Sequence, residues 1–117
     1  MTLTEFLAKI HSNSPVSFAE TIAVITANYH YQATEFSNGL DAQAVVNPAG
    51  TNEGSCKIFA FAKCHQLSAE QTLSLFGDYY REDVLNDPDG TGHQNIRQFM
   101  RHGWAGISFQ GDALTKQ

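Results

Sequence analysis

Apolar residues recur along most of this chain at helical spacing. Leu3, Phe6, Leu7 and Ile10 mark one helix face, and Phe18, Ile22, Ile25 and Tyr29 a second. Leu73, Phe76, Tyr80 and Val84 mark a third, interrupted by Gly77. Ile96, Phe99, Met100 and Gly103 line a fourth, and Gly103 is a C-terminal stop. Each face follows a capping-box pair: Thr2 with Glu5, Ser17 with Glu20, Ser68 with Gln71, Thr91 with Gln94. In that motif a Ser/Thr side chain and a Glu/Gln three residues on satisfy each other's backbone donors.

The stretch "SCKIFAFAKCHQL", residues 55–67, alternates over part of its length. Its alanines, its length and the cap at Ser68 predict a helix instead, apolar nearly all round and therefore central. Period-two patterns are shorter. "YQATEF" (31–36) alternates and leads into the turn pair Asn38-Gly39. "AQAVV" (42–46) stops at Asn47-Pro48, and "GISFQ" (106–110) follows Trp104. The expectation is an α+β fold, one domain over 1–117. About five helices surround the 55–67 helix, beside one small antiparallel sheet of about three strands. "NPAGTNEGS" (47–55) is the longest irregular loop.

Composition narrows the function classes. The chain has 117 residues, 42% hydrophobic, enough for one core without disulfides or metal. Its 12 Asp+Glu against 7 Lys+Arg give a net charge of -5, which leaves no basic footprint for nucleic acid or anionic membranes. No apolar run approaches the roughly 18 residues of a membrane span, and no secretory leader is legible. The two cysteines, Cys56 and Cys64, suit a reducing cytoplasm better than a disulfide framework.

Four patterns carry candidate chemistry. "NDPDGTGHQNIRQ" (86–98) places Asp87, Asp89, Thr91, His93 and Asn95 in the ligand register of a calcium loop, with Gly92 at the turn. Gln98 stands where the closing bidentate carboxylate belongs, so an ordinary acidic turn capped by Thr91 explains the stretch better. Cys56 near a helix start invites a lowered thiol pKa and a Cys–His reaction with His65 or His93. The alternative is a packed, inert thiol. Cys56, Cys64 and His65 lack the close ligand pairs of structural zinc, so no metal and no cofactor is expected. "NEGS" (52–55) could aim backbone N–H groups at an anion, although helix capping also accounts for it.

The fourth pattern is the densest. Asp78, Tyr79, Tyr80 and Arg81 precede a short turn to a helix carrying His93, Asn95, Arg97 and Arg101. If the two faces meet, they form a cationic, aromatic site for a carboxylate, a phosphate or a protein partner. The alternative is an ion-pair network of Arg97 and Arg101 with Glu82, Asp83 or Asp87.

These segments also resemble a known family. The blocks "GSCKIFAFA" (54–62) and "FGDYYR" (76–81), Pro88 with Gly90, and His93 with "NIR" (95–97) are similar to the HopJ type III effector protein family. The likeness runs from about Phe18 to Phe109. It implies delivery into host cells by type III secretion as an alternative to a cytoplasmic location, and it supplies no catalytic residues. The functional expectation is a binding or interaction module without chemistry of its own. The rival is an enzyme using Cys56 or His93.

Overall fold

A computed structural model describes all 117 residues. Three of the four capping boxes form as expected. They start α1 (Leu3–His11) at Thr2, α2 (Phe18–Asn28) at Ser17, and α4 (Ala69–Ser74) at Ser68. The helix expected from 55 is α3, Glu53–Cys64, between the second and third of these.

The fourth capping box does not form. Helix α5 spans Gln94–His102, with His93 as its left-handed N-cap (φ 56°). Gln94 bonds the Thr91 carbonyl instead, Nε2 to O at 2.6 Å. Thr91 therefore lies outside the helix it was expected to cap. Gly103, at φ 57°, ends α5 as expected and leads into a 3-10 turn, Gly103–Gly106.

Helix α3 is the core's axis. Cys56, Ile58, Phe59, Ala60, Phe61 and Ala62 are all buried. Phe59 packs on Phe76, Phe99 and Phe36, with ring centroids 5.5, 4.9 and 5.9 Å away. Phe61, on the opposite side of the helix, meets Phe6 and Tyr29 at 6.0 and 5.9 Å. A helix buried on both sides explains why its sequence shows so little amphipathic contrast.

The third helical pattern breaks in two. Gly77 sits at φ +61°, and a Cβ there would lie 2.6 Å from the Phe18 backbone nitrogen. The chain leaves α4, turns at Gly77 and resumes as a π-helical segment, Tyr79–Val84. Its wide turn is closed by Leu85 N–H to the Tyr80 carbonyl, an i to i+5 bond of 3.1 Å.

The strands form two sheets rather than one. β2 (Phe36–Asn38) pairs antiparallel with β3 (Val45–Asn47) and β4 (Ile107–Phe109), in the order β3-β2-β4. β1 (Tyr29–Tyr31) pairs with β5 (Leu114–Lys116), a strand not anticipated. The 31–36 alternation spans the irregular turn between β1 and β2. β3 starts later than expected and runs one residue past the expected end, and its alternation with a period of two puts Asn47 inward (1% exposed) and Val46 outward (62%).

Candidate functional site

The inner face of the three-stranded sheet carries two asparagines where apolar residues would be usual. Asn38 and Asn47 are buried there, and Asn95 is buried in the first turn of α5. The amides of Asn47 and Asn95 bond reciprocally: Asn47 Nδ2 to Asn95 Oδ1 at 3.0 Å, Asn95 Nδ2 to Asn47 Oδ1 at 2.9 Å. Asn38 Nδ2 donates to the Asn95 carbonyl at 2.8 Å, and Asn52 Nδ2 to Asn47 Oδ1 at 2.7 Å. Asn52 is the N-cap residue of α3. The network therefore ties the starts of α3 and α5 to one sheet. Paired buried amides hold geometry closely, because each lost partner is expensive.

Both helix starts share an unusual form. Asn52 (φ 48°) and His93 (φ 56°) are left-handed, and neither side chain caps its helix. The expectation that capping accounts for "NEGS" is thus overturned: the Asn52 side chain points to the sheet. The first N–H groups with helical partners are Cys56, on Asn52 O at 3.0 Å, and Arg97, on His93 O at 3.1 Å. The N–H groups of Glu53, Gly54 and Ser55, and of Gln94, Asn95 and Ile96, have no partner in the protein.

Both starts open on one cleft of about 450 Å³. Gly54, Ser55, His93 and Asn95 line it, with an aromatic wall from Phe18 and Tyr79. Tyr79 packs edge-on to Phe18 at 5.0 Å and lies 5.3 Å from the His93 ring. His93 Nε2 is 3.3 Å from Asp83 Oδ2 and carries charge only when protonated. Gly54 lets this wall close in, since a Cβ there would stand 2.9 Å from the far end of the Phe18 ring.

Of the seven residues expected at a ligand site, the cleft gathers Tyr79, His93 and Asn95. The others lie elsewhere. Asp78 is exposed and 3.8 Å from Arg81. Tyr80 is half-buried against the core. Arg81 Nη2 donates to the Val16 carbonyl at 2.7 Å and fastens the α1–α2 linker. Arg97 turns to the 87–92 loop: Nε to Gly92 O at 2.6 Å, Nη1 to Asp87 O at 2.8 Å and Pro88 O at 3.4 Å. Arg81, His93 and Arg97 thus do not converge. Nor does Arg97 form the expected ion pair; its partners are carbonyls, not carboxylates. Arg101 pairs with Asp41 at 3.9 Å, a partner far from it in sequence.

The same bonds settle how "NDPDGTGHQNIRQ" is organised. A guanidinium gathers the loop's carbonyls, and Gln98 points away to the Gln43 carbonyl at 3.1 Å. No three His, Cys, Asp or Glu side chains come together as a metal-binding group. Cys56 is 1% exposed. Its thiol donates to Thr34 O at 3.5 Å. Burial pushes its pKa up, opposite to the shift expected from the helix start. His65 accepts from or donates to the Tyr29 hydroxyl at 2.6 Å and makes no bond to Cys56. What sequence reasoning missed is the part played by Asn38, Asn47 and Asn52. All three read as turn residues, and only strand register turns two of them inward.

Three comparisons bear on identity. The HopJ type III effector protein family model matches residues 3–114. None of the curated proteins compared matches the chain. A solved structure titled "Crystal structure of unknown function protein VPA0580" is similar, with a TM-score of 0.93 and 47% sequence identity. The likeness covers 100% of this chain and 95% of that one. No helix is long and apolar enough to cross a membrane. With residues 3–114 of its 117 matched by the family model, this chain belongs to the HopJ type III effector protein family.

Proposed function

We propose that this protein is a binding module whose cleft takes an anionic group, a phosphate or carboxylate, from a small ligand or a protein partner. The single observation that carries the reading is the convergence of two uncapped helix starts on one concave, aromatic-walled site. Six unpartnered N–H groups lie in two first turns, and the positive ends of two helix dipoles add to their effect. Tyr79 supplies an apolar face and His93 a further donor. The net charge of -5 supports a partner other than nucleic acid or an anionic membrane. The cytoplasmic location belongs to the same proposal; fractionating the producing cells and their medium tests it against delivery by type III secretion.

The test is an amide titration with inorganic phosphate and with acetate. Resonances of Gly54, Ser55, Asn95 and Ile96 should move together, in one saturable process. His93→Ala should weaken it about fivefold, the worth of roughly 1 kcal/mol. Absence of saturable shifts at these four amides would rule the cleft out as an anion site.

A further inference from the structure

Arg97 lies outside that cleft and is 7% exposed. No carboxylate lies within 4.0 Å of its guanidinium. The three carbonyls that hold Nε and Nη1 orient the group, and the one carboxylate beside it, Asp87, whose Oδ2 stands against the same Gly90 as Nη2, stays beyond 4.0 Å and makes no hydrogen bond to it. Buried charges ordinarily have a counter-charge. Nη2 is the nitrogen left over. It makes no hydrogen bond. It stands beside Gly90, where a Cβ would come within 2.8 Å of it.

Arg97 and Gly90 line a second cavity, about 370 Å³, between the π-helical segment and α5. Its apolar side is made by Leu85, Pro88 and Met100. Met100, which the helical spacing groups with Ile96 and Phe99, is 44% exposed, and Leu85 is 46% exposed. Arg101, paired with Asp41 at 3.9 Å on one side, is a second cation on the lining, which also carries the Asp89 carboxylate. An exposed apolar wall beside a held guanidinium whose Nη2 has no hydrogen-bond partner suits one class of ligand: an anion on an apolar body.

We propose that this cavity binds a carboxylate carried on a short apolar chain. The carboxylate sits on Arg97 Nη2 and Arg101, and the chain lies against Leu85, Pro88 and Met100. Two sources share that chemistry, a free aliphatic acid and the C-terminus of a peptide ending in a large apolar residue.

The experiment uses the full chain and three probes: octanoate, an N-acetylated peptide ending in leucine as the free acid, and the same peptide as its amide. The Arg97 Nε–Hε and Gly90 amide resonances should shift with octanoate, with the peptide acid, or with both. The amide should leave them unmoved. Arg101→Glu should weaken binding at least about tenfold with an unchanged circular dichroism spectrum. Arg101 is chosen over Arg97 because Arg97 also fastens the loop. A response to octanoate alone assigns a free acid, and a response to the peptide acid alone assigns a C-terminus. No response to either at about 10 mM, where even a weak, millimolar complex is mostly formed, overturns the inference. So does equal binding of the amide, or undiminished binding by Arg101→Glu. Shifts confined to Gly54, Ser55 and Asn95 also overturn it, and would at the same time favour the first cleft.

Discussion

At the scale of the residue, asparagine 47 decides more than its type suggests. A lone Asn before Pro reads as a turn. Here it makes two donor and two acceptor bonds inside the protein, to Phe36, Asn52 and Asn95. Asn47→Ala leaves Asn95 Nδ2 without a partner in the interior, while Asn95 Oδ1 keeps its bond from Asn38, and the loss costs about 2–3 kcal/mol. Urea unfolding of the two proteins checks this. Asn52→Ala should cost less than about 1 kcal/mol, because Asn52 is exposed and can turn to water. Equal losses from the two variants would mean that the network is not the clamp described above. Arginine shows the same gap between type and use. Arg81 and Arg97 read as ligand groups, yet each spends its best bonds on backbone carbonyls.

At the scale of the element, Gly77 sets where the third helical pattern ends. Its conformation is left-handed, and the space beside it is filled by the backbone of Ser17 and Phe18. Gly77→Ala therefore combines backbone strain with a contact that no side-chain rotation relieves. The expected loss is about 2–4 kcal/mol. Gly50→Ala is the control: φ is +88°, with nothing within 4 Å of the added Cβ. Strain alone should cost it about 1 kcal/mol. Thermal unfolding of both variants separates the terms, and a Gly77→Ala loss no larger than that of Gly50→Ala would contradict the packing account. The break has a functional side. It lets the chain re-enter as a π-helical turn, and that turn presents Tyr79 to the cleft.

At the scale of the whole molecule, one half-buried pair ties stability to pH. His65, at the C-cap of α3, bonds the Tyr29 hydroxyl of β1 at 2.6 Å. Burial lowers its pKa below the ordinary 6.5, with Lys116 and His11 adding repulsion. The folded state thus holds fewer protons on His65 than the unfolded one. This stability is whole above pH 6.5, begins to fall below it, and is lost as pH drops through the lowered folded value. Glu5, Glu20 and Asp41 are shifted down too, chiefly by backbone hydrogen bonds, so their contribution is lost only in the more acid carboxylate range. Urea midpoints should decline between pH 8 and pH 5.5, and His65→Gln should flatten that decline. An unchanged slope in the variant would assign the dependence to other groups.

Most of the helical framework was legible without coordinates. Capping boxes are local chemistry within four residues, and three of the four at Thr2, Ser17, Ser68 and Thr91 formed as read. The family likeness was legible too, carried by long blocks such as "GSCKIFAFA" and "FGDYYR". The strands were less so. A three-residue strand has almost no period, and β5 drew its partner from 87 positions away, Tyr29 facing Lys116. Only the tertiary structure decided the site. Register turned Asn38 and Asn47 inward, left-handed backbone opened two helix starts on one cleft, and carbonyls took Arg81 and Arg97 away from it. Capping and hydrophobic period act between near neighbours, so sequence carries them. Convergence depends on which distant backbone groups happen to need a partner, and that is settled only when the chain closes on itself.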